Sequence, residues 1–166
     1  MTVIQTKRLR LRPYQASDAA DVTRLIGELD VARWLTRVPY PYALKDAQSF
    51  IERMQRDDGL CFAILRNDQL MGGVSIGDEL GYWLGKPYWG NGFATEAACG
   101  IIERHIDQGV EHIQSGFVLG NTGSQNVLRK LGFENGDIEE VASASLGAPV
   151  RVQKMHLQVQ NWNALQ

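Results

Sequence analysis

The chain has 166 residues, one domain's worth, and its 17 Lys+Arg against 19 Asp+Glu leave a formal charge of −2. With 44% hydrophobic and 22% charged residues the composition excludes a disordered chain, and the near-cancelled charge speaks against a dedicated nucleic-acid binder, which carries a basic excess. A domain of this size buries roughly 70% of its unfolded surface, so neither disulfides nor a metal is required to hold it. The longest run without Asp, Glu, Lys or Arg, residues 112–128, is full of Gly, Asn, Gln and Ser and is therefore no membrane span. The opening Met1, Thr2, Val3, Ile4, followed by Lys7 and Arg8, lacks the apolar core of a signal peptide. Cys61 and Cys99 stand in apolar contexts without CxxC spacing and read as two buried thiols in a reducing cytoplasm.

Residues 7–12 alternate basic and leucine, which predicts a strand with Leu9 and Leu11 inward and Arg8, Arg10 and Arg12 outward. Ser17 reads as a helix N-cap, with Val22, Leu25, Ile26 and Leu29 forming one apolar stripe behind it. Ala47, Phe50, Ile51 and Met54 repeat that stripe in a second helix. Between the two lies an aromatic and proline-rich segment, residues 34–42. Residues 61–65 are a continuous apolar run, as in a strand covered on both faces. Asn67 and Asp68 supply a turn, and residues 70–76 return as the hairpin partner, with a bulge expected at Gly72 and Gly73. Residues 80–84 form a third strand. Residues 87–95 then lead into a helix whose inner face is Ala94, Ala97, Ala98, Ile101 and His105. A strand over 113–119 and a short helix over 121–131, closed by Gly132, follow. In the last strand, 150–159, the apolar residues change phase from Val150 and Val152 to Met155, Leu157 and Val159, which predicts a bulge near Gln153 or Lys154. The order β-α-α-β-β-β-α-β-α-β-β describes one α/β domain, residues 1–166, with a central mixed sheet flanked by about four helices.

Chemistry concentrates at Gly90, Asn91, Gly92, Phe93, Ala94, Thr95 and Glu96, between a strand and a helix. Glycines there let the backbone approach a ligand, and the helix start adds partial positive charge, so the segment suits a phosphate or pyrophosphate. A dinucleotide fingerprint does not fit, because Thr95 stands at its third glycine; no GxxxxGK[ST] run exists either. His105, His112 and His156 are too scattered for a metal site.

Residues 81–84, Gly-Tyr-Trp-Leu, and 88–97, Tyr-Trp-Gly-Asn-Gly-Phe-Ala-Thr-Glu-Ala, resemble the acetyl-CoA signature of the GNAT N-acetyltransferase superfamily. Asn121, Thr122, Gly123 and Ser124, followed by residues 127–133, resemble its second motif. The opening Arg8-Leu9-Arg10-Leu11-Arg12-Pro13 is similar to the start of the RimJ/RimL branch, whose named members acetylate ribosomal-protein N-termini. The resemblance covers roughly residues 5 to 160 and implies a GNAT-like acyl-CoA N-acyltransferase fold.

The family's loop pattern, Gln/Arg-x-x-Gly-x-Gly/Ala, falls on residues 89–94, with Trp89 in place of the Gln or Arg. The resemblance implies a cofactor site of Trp83, Leu84, Gly85, Trp89, Gly90, Asn91, Gly92, Phe93, Ala94, Thr95, Asn121 and Ser124. The strand over 82–85 pairs with the pantetheine arm, and the Leu84 amide points at the thioester oxygen. Lys86 either steadies the phosphates or is an exposed loop lysine. The family's tyrosine acid corresponds to Leu128 here and is absent; Ser124 takes its place as acid or else caps the helix. Asn121 either bonds the pantetheine or starts that helix. Glu79 is the candidate base, with an exposed strand carboxylate as the rival reading, ahead of Asp78, Glu28 and Asp30; a water relay is the alternative route for the proton. Trp34, Tyr40, Tyr42 and His156 are candidates for the acceptor pocket, with packing roles as the alternative.

These readings converge on a cytoplasmic, acetyl-CoA-dependent N-acetyltransferase working by direct transfer in a ternary complex. The default acceptor is a protein N-terminal amine. An antibiotic or polyamine amine and a non-catalytic acyl-CoA-binding domain are the alternatives. Neither nucleic acid nor membrane is an expected partner, and a homodimer is compatible with the exposed edge strands of such a fold.

Overall fold

The computed structural model describes residues 2–56 and 60–162; the ends of the expected domain, Met1 and 163–166, lie outside them. Its first sheet has five antiparallel strands in chain order: β1 (Ile4–Gln5), β2 (Arg10–Arg12), β3 (Leu60–Arg66), β4 (Gln69–Ile76) and β5 (Leu80–Leu84). Between β2 and β3 come three helices, α1 (Ala19–Ile26), α2 (Leu29–Ala32) and α3 (Leu44–Arg56). The chain continues through α4 (Phe93–Ile106), β6 (His112–Val118), α5 (Thr122–Lys130), β7 (Glu134–Ser143) and β8 (Ala148–Gln158). The last three strands form a second antiparallel sheet, ordered β6-β8-β7.

The apolar run in β3 is buried on both sides because helices cover both faces of the first sheet. On one face, α1 and α3 pack Val22, Leu25, Ala47 and Ile51 against Ala63, Leu65 and Leu70. On the other, α4 packs Ala97, Ala98, Ile101 and Ile102 against Leu11, Ile64 and Val74. The β3–β4 turn is a two-residue hairpin in which Asn67 and Asp68 adopt φ of 50° and 62°, the left-handed region these residues tolerate.

Several local expectations change. The basic N-terminal segment is a hairpin rather than one strand, since Thr6 N–H donates to Leu9 O and Leu9 N–H to Thr6 Oγ1, turning the chain before β2. Leu9 and Leu11 are fully buried as predicted. Ser17 caps nothing: it lies inside a 3₁₀ turn, Ala16–Asp18, and Asp18 instead accepts from the Gln15 amide. Leu29 leaves the first stripe because α1 stops at Gly27, and it begins α2 half-exposed. The irregularity in β4 falls on Met71, between Leu70 opposite Leu65 and Gly72 opposite Ile64. Gly73 serves a close approach instead, because a Cβ there would lie 2.0 Å from Tyr14 Oη. The α4 inner face also takes Phe93 and Ile102, whereas Ala94 and His105 are half-buried. Cys61 and Cys99 are likewise half-buried. The bulge expected in β8 belongs to its partner, where Gly136 and Asp137 of β7 stand opposite Lys154 alone. The phase change in β8 has another cause: Gln153, Met155 and Leu157 face the core, while Val150 and Val152 line a cleft on the other face.

Candidate active site

The two sheets meet at one place. Glu79 and Gln114 form a single parallel bridge, and Ser115 Oγ donates to Leu80 O at 2.8 Å. Beyond it β5 and β6 are unpaired among the described residues, which leaves a gap between their C-terminal halves. In open α/β sheets ligands bind at such strand ends, next to the N-termini of the helices that follow. Here those helices are α4 and α5.

The edge of β5 is polar where it faces the gap. Gly85 N–H donates to Met71 O, so Gly85 and Trp83 turn their backbone groups toward β4. Alternation then turns the Leu84 amide and both backbone groups of Tyr82 toward β6. The Leu84 carbonyl is taken by the Trp89 indole, whose Nε1–H donates at 2.8 Å. Of the expected backbone ligands, Leu84 is thus placed for an extended arm. Trp83 and Gly85 are not, and the Trp83 indole reaches the Tyr14 side of the sheet. Trp89 acts as a tie between the loop and the end of β5.

Next comes the loop. A 3₁₀ turn over Lys86–Tyr88 leads into Gly90 and Gly92, with φ of 73° and 76°, and α4 begins at Phe93. Gly92 is the N-cap, no side chain caps this end, and Glu96 N–H makes the first bond of the helix, to Gly92 O. The amides of Gly92, Phe93, Ala94 and Thr95 are therefore left for a ligand, which fits a diphosphate. Asn91 braces the loop, its Nδ2 donating to Trp89 O at 2.9 Å and Tyr88 O at 3.3 Å. The Thr95 side chain is buried, as is Phe93. Lys86 is held away from the loop amides by an ion pair with Asp30, whose carboxyl it draws below its ordinary value. Asp30 is thereby removed from the candidate bases.

Across the gap, Asn121 caps α5, its Oδ1 accepting from Ser124 N–H at 3.2 Å. The cap is thus Asn121 and not Ser124. The Ser124 hydroxyl instead lies 2.8 Å from Tyr82 Oη. Burial pushes the Tyr82 phenol up to about 12, against the opposing effect of the Ser124 hydrogen bond. Leu128 is fully buried, as a core residue and not a reacting group.

On the opposite face Trp34 lines two adjoining clefts. One, about 120 Å³, includes Thr36, Glu79, Gly116 and Val152; the other, about 320 Å³, includes Arg33, Leu146, Val150 and Arg151. Thr36 O accepts from Ala144 N–H at 2.8 Å, strapping this segment to the β7–β8 turn. Glu79 reaches this space while paired with Lys154 from β8. Trp34 and Glu79 are therefore brought together, but the other acceptor candidates are not. Tyr40 is exposed, Tyr42 packs on the α1–α3 core and is pushed up to about 12 by burial and Asp46, and His156 faces Glu134 on β7 at 3.8 Å. Glu28 is exposed at the start of α2, away from these clefts.

Sequence reasoning missed Tyr82, Lys154 and Arg8. Arg8 reaches the loop from the β1–β2 turn, with Nε donating to Glu96 at 2.6 Å and Nη1 to Asn91 O at 3.1 Å. No local pattern signals these pairings, which close over long sequence separations.

The profile of the acetyltransferase (GNAT) domain matches residues 8–134, and the chain belongs to the GNAT N-acetyltransferases, a family that uses acetyl-CoA. A curated relative is an uncharacterized N-acetyltransferase p20 of Bacillus licheniformis, 25% identical over 153 residues, covering 81% of this chain and 83% of that one. Among solved structures, RimJ of Mycobacterium smegmatis in complex with CoA-disulfide superposes with a TM-score of 0.82 at 20% identity, over 96% of this chain and 88% of that one. An acetyl transferase from Salmonella typhimurium, described as modifying the N-terminal serine of 50S ribosomal subunit protein L7/L12, gives 0.80 at 16% identity, over 95% and 99%. The fold is shared with RimJ and RimL proteins, as the N-terminal basic motif led us to expect. Among the described residues no helix is long and apolar enough to cross a membrane.

Proposed function

We propose that the protein moves the acetyl group of acetyl-CoA to an amine, with a protein N-terminal α-amine as the acceptor class. The observation carrying this reading is the unpaired β5 edge, with the inward Leu84 amide, running directly into the uncapped start of α4. Pantetheine has the amide spacing to pair with such an edge, and a diphosphate matches the four loop amides. Acetyl-CoA supplies a thioester-activated acetyl group; the protein's own residues orient it and manage protons. The Leu84 N–H polarises the acyl oxygen. Ser124, with its hydroxyl held by Tyr82 and not spent on capping, donates a hydrogen bond to the departing sulfur, which takes up the proton that the attacking amine loses. A phenol near 12 stays protonated beside a thiolate of pKa about 8.5, and an alcohol more firmly still, so both hydroxyls act by hydrogen bonding, with Tyr82 orienting Ser124. Glu79 is the carboxylate of the acceptor cleft. Lys154 already occupies it, so an incoming ammonium competes for Glu79 before losing its proton. The aromatic wall of Trp34 bounds the path the acceptor takes.

The Thr36–Ala144 strap narrows this cleft, which favours a second reading, a compact small-molecule amine such as a polyamine or an aminoglycoside. Thiol release from acetyl-CoA, measured with Ser- and Ala-starting peptides beside polyamines and aminoglycosides, separates the readings. Peptide-dependent release supports the first, release with small amines alone supports the second, and binding of acetyl-CoA without transfer to any amine leaves a non-catalytic acyl-CoA-binding domain.

A further inference from the structure

Glu96 poses an electrostatic problem. It is the only acidic residue in the first turn of α4, beside the amides that would hold a diphosphate, and its side chain is only 16% exposed. Left bare, such a carboxylate would repel the ligand. Instead it accepts three hydrogen bonds from the β1–β2 turn: Thr6 Oγ1 at 2.6 Å, Arg8 N–H at 2.7 Å and Arg8 Nε at 2.6 Å.

The same guanidinium also fixes the loop. Arg8 Nη1 donates to Asn91 O at 3.1 Å. The Asn91–Gly92 peptide is trans, so its N–H points opposite its C=O, and tying the carbonyl to Arg8 turns the Gly92 amide away from Arg8, to the loop's open side. The guanidinium stacks 4.6 Å over the Phe93 ring, and Nη2 lies 3.5 Å from where a Gly92 Cβ would stand. Trp89, at the head of this loop, is uncharged and tied to Leu84 O.

We infer that Arg8 is a positioning residue of the acetyl-CoA site: it neutralises Glu96, orients the Gly92 amide and brings a cation to the diphosphate loop, whose own Lys86 is engaged by Asp30. The inference rests on the acetyl-CoA reading above. It also gives the β1–β2 hairpin a function beyond packing Ile4 and Leu9 into the core.

The test compares Arg8→Gln, Arg8→Lys and Glu96→Gln by calorimetry and by donor kinetics, with melting temperatures recorded for each. Arg8→Gln should weaken acetyl-CoA by roughly 10-fold, in KM and not in kcat, as expected for loss of charge-assisted hydrogen bonds. It should weaken acetyl-3′-dephospho-CoA by the same factor and leave S-acetylpantetheine, which has no phosphate, within about twofold. Glu96→Gln breaks the same ion pair yet removes the repelling charge, so it should bind acetyl-CoA far more tightly than Arg8→Gln despite a similar fall in melting temperature. Arg8→Lys should recover part of the affinity by charge alone. Equal weakening by Arg8→Gln and Glu96→Gln, or equal loss with S-acetylpantetheine, overturns the inference and reduces the pair to an anchor of the hairpin. Failure of the wild type to bind acetyl-CoA defeats the underlying reading and this inference together.

Discussion

Ser124 and Tyr82 carry the sharpest consequence at the scale of single residues. Because Asn121 caps α5, Ser124→Ala leaves the helix end intact; turnover should fall by roughly 10²-fold while acetyl-CoA affinity and melting temperature hardly change. Tyr82→Phe should show a smaller loss of the same kind, and parallel losses of stability and activity would return Ser124 to a packing role. Glu96 makes a pH prediction. Burial raises its pKa, but the Thr6 and Arg8 hydrogen bonds outweigh burial and hold it below its ordinary 4.5. A lowered carboxylate stabilises the fold above the unfolded value and loses that contribution as pH falls through the folded one. Melting temperature measured downward from pH 6 should therefore drop below about pH 4.5 in the wild type, and less steeply in Glu96→Gln.

Elements were the most legible part of the sequence. Alternation placed Leu9 and Leu11 inward, the apolar run placed β3 at the centre, and the glycine pair before Phe93 marked the start of α4. All of these are local patterns set by burial period and backbone freedom. What was not legible depended on partners far along the chain: Lys86 pairs with Asp30, Glu79 with Lys154 and Arg8 with Glu96, and the bulge beside β8 is taken up by β7. A charged residue in a turn has no periodicity to announce its partner. The Gly72-Gly73 pair was misread for the same reason, since what Gly73 admits is the Tyr14 hydroxyl from another segment. Gly73→Ala should cost about 2 kcal/mol, because the added Cβ would lie 2.0 Å from the hydroxyl of the buried Tyr14 and 2.7 Å from the Trp83 indole; a chemical-denaturation midpoint reads this directly. Asp18→Ala should cost about 3 kcal/mol, since it leaves Arg12 without the two 2.8 Å bonds that pair it in a largely buried position.

The whole molecule divides its labour between two antiparallel sheets whose only backbone bridge among the described residues is Glu79 with Gln114. In the proposed function the first sheet supplies the donor edge and the loop, the second supplies Lys154 and much of the acceptor cleft, and the gap between them joins the two. The outer edge of β7 is exposed but carries Glu134, Asp137, Glu139 and Glu140, charges that oppose pairing of one β7 with another. Sedimentation at low salt should accordingly detect no dimer built on that edge, and charge-neutralising substitutions there should promote self-association. The central claim, however, is that the gap and loop hold acetyl-CoA, and calorimetric titration tests it most directly. Wild-type protein should bind acetyl-CoA with micromolar affinity, and Gly92→Trp, which puts a bulky side chain at a φ of 76° beside Arg8, should abolish that binding. Absence of binding by the wild type, or undiminished binding by Gly92→Trp, would contradict the account.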